Sequence, residues 1–137
     1  MPDERTFTLP ELALLVGVEY RTLHNWVRRG LLAASLQRAE GSGTRNLFDL
    51  ADAREAYVLA DLRRAGVELA NLQAVAEWMR HDRDQPARSE VLLVNGRVSG
   101  STRLQLADAV AKMSPALVYD LAHADSALSA RLRAVSE

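Results

Sequence analysis

Thr8-Leu9-Pro10-Glu11-Leu12-Ala13-Leu14-Leu15-Val16-Gly17-Val18-Glu19-Tyr20-Arg21-Thr22-Leu23-His24-Asn25-Trp26-Val27-Arg28-Arg29-Gly30 is the stretch on which the fold turns. Thr8 is placed to cap a helix, Glu11 stands three residues on to complete a capping box, and Phe7 can staple onto Leu12. Leu12, Leu15 and Val16 make an apolar stripe about two turns long, and Gly17 is placed to end it with a positive φ. A second helix follows from Glu19 or Tyr20 to Arg29. It sets Leu23, Trp26 and Val27 on one side and Arg21, His24, Asn25 and Arg28 on the other, with Gly30 as its stop. Two short helices around a Gly-Val turn, the second carrying one cationic face, are the elements of a helix-turn-helix.

Downstream the pattern shortens. Leu31 to Leu36 reads as a strand, Glu40-Gly41-Ser42-Gly43 as a flexible tip and Arg45 to Phe48 as a returning strand, so a hairpin wing is expected beside the helices. Asp49, with Asp52 three residues on, offers a cap for a long third helix to Ala65, and Gly66 breaks it. A fourth helix starts between Glu68 and Ala70, presents Leu69, Leu72, Val75 and Met79, and ends near Arg80. Residues 81–90 have no apolar periodicity and include Pro86, which marks a linker. Val91 to Val94 is a buried-type strand, Asn95-Gly96 a hairpin turn and Arg97 to Ser99 its return. A helix over Thr102 to Met113, a strand over Ala116 to Leu121 and a helix from about His123 to Val135 complete the chain. The expected architecture is mainly α: a winged helix-turn-helix (α-α-β-β-α-α) over residues 1–80, then a small β-β-α-β-α module over 91–137.

Composition narrows the function. The 137 residues are 48% hydrophobic and 26% charged, enough apolar surface to fold and too much for a disordered chain. The chain has no Cys, which removes disulfides, thiolate metal sites and iron-sulfur clusters. Its start, Met1-Pro2-Asp3-Glu4-Arg5, has no apolar run of signal-peptide type, and no segment approaches the roughly 20 apolar residues of a membrane span, so a cytoplasmic protein is expected, and a nucleoid-associated one if it binds DNA. Net charge is only −1, which by itself argues against a nucleic-acid binder. The distribution reverses that reading: residues 20–45 hold five arginines (Arg21, Arg28, Arg29, Arg38, Arg45) against Glu40 alone. His24, His81 and His123 are far apart and read as surface or core residues, so neither metal nor cofactor is expected. Trp26 reads as a core anchor, and Asp49 and Asp52 as capping groups. With no nucleophile-base set, phosphate loop or nucleotide fingerprint, no enzyme activity is expected.

The ordered series Thr8 to Ala13, Gly17-Val18, Arg21-Thr22-Leu23, Trp26, Gly30-Leu31-Leu32 and Gly66-Val67 resembles the opening of MerR-type transcriptional regulators, over roughly residues 7–80. Tyr20-Arg21-Thr22-Leu23, Gly41-Ser42-Gly43 and Leu92 to Arg97 are also similar to an actinobacterial subgroup. The resemblance implies a winged helix-turn-helix that binds double-stranded DNA as a homodimer, and it places a phosphate-binding arginine at Arg21. His24 and Asn25 stand where the family commonly has Arg and Tyr facing DNA. In the wing the family's Arg and Tyr are replaced by Asn46 and Phe48, with the arginine moved to Arg45, and a one-residue shift on a strand reverses the face. The candidate DNA-binding set is Arg21, His24, Asn25, Arg28, Arg45, Tyr20 and Thr8.

The family's long coiled coil has no counterpart after the fourth helix, so the C-terminal module is expected to dimerise, sense an effector or bind another protein. Two alternatives stay open at this level: an antitoxin-like interaction protein whose DNA-binding domain is autoregulatory, and a phage-type architectural or recombination factor.

Overall fold

A computed structural model of the chain describes residues 5–37 and 45–136. The first helix, α1 (Leu9–Val16), begins at the Thr8 capping box and ends at Gly17, whose φ of 80° is the left-handed value a glycine adopts without a Cβ clash. The second, α2 (Tyr20–Arg28), lies across the turn from it and packs on it. Two longer helices follow, α3 (Leu50–Arg64) and α4 (Leu69–Arg83). Helix α3 is the hub: it packs against α1, α4 and the last helix, α6 (Leu121–Ser136). Ala53, Ala56, Tyr57, Val58, Leu59, Ala60 and Leu62 are therefore buried around most of its circumference. A helix packed on three sides buries more than one stripe, and its buried Asp52 and Glu55 need partners of their own.

The expected wing differs at its base. Among the described residues the segment between α2 and α3 forms no strand ladder; it is held by the isolated bridges Gln37 to Leu47 and Phe7 to Phe48. The reason lies in where Leu31 to Ser35 spend their groups. Leu31, Leu32 and Ala34 are buried in the core, which breaks the in-out alternation a half-exposed strand needs. The carbonyls of Gly30 and Leu31 accept from the Arg80 guanidinium, and the Ser35 N–H and hydroxyl donate to Asp52. Backbone groups engaged with side chains are lost to a ladder. The tip expected at Glu40 to Gly43 lies outside the described residues.

Helix α4 continues to Arg83, into the stretch that reads as linker, because its last turn carries partners for other elements. Arg83 bonds the buried carboxylates of Asp52 and Glu55, and buried Asp82 accepts from the N–H and hydroxyl of Ser89. Burial raises the Glu55 carboxyl above the usual range, the Arg83 hydrogen bond only partly opposing it.

Beyond Ser89 come β1 (Val91–Val94), β2 (Val98–Ser101), α5 (Leu106–Met113), β3 (Leu117–Asp120) and α6. The sheet is antiparallel with order β2-β1-β3, Leu92 facing Gly100 on one side and Tyr119 on the other. All four β1 residues are buried because both faces are covered. Leu92 and Val94 join the main core, while Val91 and Leu93 pack with Met113 beneath α5. Gly100 lies under the Trp78 ring, where a Cβ would collide with both that ring and Ser89. The apolar stripe of α6 is largely filled within the chain: Leu121, Ala124 and Leu128 are buried in the same core as α1 and α3, and Leu132 packs against it. No helix among the described residues is long and apolar enough to cross a membrane.

Candidate nucleic-acid interface

The surface of α2 is built by its period. Arg21, His24, Asn25 and Arg28 recur at the three- and four-residue spacing that aligns side chains on one helix face. All four are exposed, while Leu23 and Trp26 on the opposite face are buried in the core. Packing therefore fixes the rotation of the helix and leaves its polar face outward. No ion pair among the described residues engages Arg21, Arg28 or Arg29, so their charge is not spent inside the molecule. Tyr20, half-exposed, stacks on His24 with ring centroids 6.0 Å apart, extending the face by one aromatic pair.

Thr8 and Arg45 occupy different surroundings. The Thr8 side chain caps α1, its backbone N–H donating to the Glu11 carboxylate at 2.9 Å. Those bonds hold the Glu11 carboxyl below the usual range, the Thr8 backbone N–H being the larger cause and the charge of Arg45 a minor one. Arg45 is exposed on the segment returning to α3, and its carbonyl accepts from the Gln37 side chain. The structure thus brings Tyr20, Arg21, His24, Asn25 and Arg28 together on α2, and sets Arg45 within electrostatic reach of the start of α1.

Two residues to which the sequence gives no role fix the chain on either side of this face. Arg80 on α4 donates to the carbonyls of Gly30 and Leu31, at 2.7 and 2.9 Å, and so fixes the chain where it leaves α2. Arg131 on α6 donates to the Leu15 carbonyl at 2.7 Å and lies over the Tyr57 ring, holding the end of α1 beside the Gly17 turn. Their sequence separations of 50 and 116 explain why no local pattern discloses them.

Paired short helices, a left-handed glycine turn and an outward cationic face on the second helix define a helix-turn-helix protein. The profile of the MerR HTH family of regulatory proteins matches residues 7–78, more than half of the chain, and the chain belongs to that family. It is 27% identical over 97 residues to an uncharacterized HTH-type transcriptional regulator of Mycobacterium tuberculosis, covering 70% of this chain and 43% of that protein. A counterpart in Mycobacterium bovis matches to the same extent. The nodulation protein NolA of Bradyrhizobium diazoefficiens is 33% identical over 76 residues, covering 56% of this chain and 31% of its own length. The chain spans less than half the length of these curated relatives. Residues 7–78 are thus a helix-turn-helix domain of the MerR type.

Proposed function

We propose that the chain recognises a specific duplex sequence by inserting α2 into the major groove, and that it does so as a homodimer. The observation that carries this reading is the division of α2 into a buried Leu23/Trp26 face and an exposed Arg21/His24/Asn25/Arg28 face whose arginines have no ion pair among the described residues. In that orientation Arg21 and Arg28 neutralise phosphates, and Asn25 offers the donor and acceptor that pair with adenine in the major groove. His24, stacked on Tyr20, contacts the flanking phosphate or base edge. Arg45 adds a backbone contact from the wing side, and Thr8 holds the start of α1 toward the phosphates.

For the dimer, the outer edges of β2 and β3 remain as the module's unpaired strand edges, since the apolar stripe of α6 is used within the chain. Because two half-sites lie a helical turn apart, two linked α2 helices read them together. Selection of bound genomic fragments, followed by light scattering of the protein with and without the selected duplex, tests both parts. Preferential retention of a two-fold-symmetric sequence, with affinity falling linearly in log salt, is the expected result. Retention without sequence preference, or a single 15.1 kDa chain on the duplex, overturns the reading.

A further inference from the structure

A cleft of about 830 Å³ opens between the start of α3 and the outer face of α6, on a different set of residues from the α2 face. Four guanidinium groups line it, those of Arg5, Arg54, Arg88 and Arg133, together with the carboxylates of Asp49 and Asp125. Both carboxylates are already engaged: Asp49 accepts from the Asp52 backbone N–H as the cap of α3, and Asp125 is paired with Arg54 at 2.7 Å. Among the described residues, no ion pair or hydrogen bond engages the side chains of Arg88 and Arg133, although both line the cleft. Leu50, Leu128 and Leu132 supply an apolar wall.

The cleft is an open one that sets a leucine wall beside guanidinium groups without partners among the described residues, a lining suited to a small amphiphilic anion. Two cations without carboxylate partners select a dianion, because guanidinium forks bind phosphate or carboxylate oxygens in pairs. The leucines select a hydrocarbon body attached to it. We propose that this cleft binds a small organic acid of that kind, a phosphate monoester or dicarboxylate with an apolar chain or ring.

The walls belong to the two halves of the molecule. Asp49 follows directly on Phe48, whose backbone pairs with Phe7 beside the start of α1. On the other side, Arg131 of α6 bonds the last turn of α1. A molecule in the cleft therefore touches both the helix-turn-helix half and the C-terminal helix.

Calorimetric titration of the full chain, without DNA, with hexyl phosphate, inorganic phosphate and hexanol tests the assignment, and leaves the DNA-binding reading untouched if it fails. Hexyl phosphate is expected to bind at least about tenfold more tightly than either of its parts, since headgroup and chain are held at once. The double substitution R88Q/R133Q should weaken hexyl phosphate by about tenfold or more. Its melting temperature should stay unchanged, because both side chains are exposed. Arg97→Gln, on the β1–β2 turn, should leave binding as it is. Equal binding by R88Q/R133Q and the parent, an equal loss in R97Q, no detectable hexyl phosphate binding, or inorganic phosphate binding as tightly as hexyl phosphate overturns the proposal. So does a double variant that keeps hexyl phosphate but loses duplex affinity and salt slope, which would make the cleft a surface for DNA phosphates.

Discussion

The arginines of α2 and those of α4 and α6 are the same residue put to opposite uses. Arg21 and Arg28 stand on the exposed face of a short helix with no ion pair among the described residues. Arg80, Arg83 and Arg131 reach across the molecule to backbone carbonyls and buried carboxylates. The first group gives up little on meeting a polyanion, because its charge is hydrated and unmatched; the second group is part of the framework that aims the first. Exposed cations on α2 and engaged cations behind it explain how a chain of net charge −1 presents a local positive surface.

Removing one member of each group should therefore produce different losses, and the largest is expected at Arg83. Arg83→Ala leaves Asp52 and Glu55 buried without their cation, which costs about 3 kcal/mol or more of stability. The Glu55 carboxyl is already raised in the folded chain, so its ionisation opposes folding as pH rises through that value. The penalty in the variant should shrink in acid, where the raised Glu55 carboxyl protonates. Urea denaturation of parent and variant at neutral and acidic pH measures this, and equal stability at neutral pH would place Arg83 with the uncommitted arginines.

On the α2 face the expected change is in binding rather than folding. Asn25→Ala should relax discrimination at one or two base pairs by about 1–3 kcal/mol and leave the salt slope alone. Arg21→Ala and Arg28→Ala should each lower affinity for every sequence and reduce the slope by about one. Melting temperatures should match the parent in all three. Should Asn25→Ala keep full discrimination while the arginine changes alter it, the orientation of α2 in the groove is reversed.

Arg131 tests the link between the groups. Arg131→Ala removes the bond to the Leu15 carbonyl and the contact over Tyr57, for about 1–2 kcal/mol of stability, read by thermal and chemical denaturation. Duplex affinity should fall with it, while discrimination among sequences stays.

The smallest effect belongs to the cap of α1. Thr8→Ala should cost about 1 kcal/mol. Because the Glu11 carboxyl is held below its ordinary value, its share of the cap is present above that ordinary value and is lost as pH falls through the lower, folded one. Glu11→Gln should flatten that part of the acid dependence; an unchanged profile would mean that the capping bonds contribute nothing measurable.

Local chemistry made a large part of this molecule legible. The Thr8 capping box, the Gly17 stop, the polar face of α2, the Asp49 cap and the Asn95-Gly96 turn each depend on residues within a turn or two of one another. Their signals survive without tertiary context. Helix α4 was expected to end three residues early because Asp82 and Arg83 look like solvated charges until Glu55 and Ser89 are brought beside them. The stretch Leu31 to Leu36 misleads for the same reason: a short apolar run fits a strand or a packed segment equally well.

By itself, then, the sequence determined the paired short helices, the side of α2 that faces outward and the family to which they belong, since all of these follow from side-chain period and adjacent turn chemistry. The tertiary structure alone decided that Leu31 and Leu32 enter the core, that α6 fills its stripe on α1 and α3, and that Arg80 and Arg131 bond the chain on either side of α2. The arginine contacts join groups 49 to 116 residues apart in sequence, and no local free-energy preference encodes such a meeting.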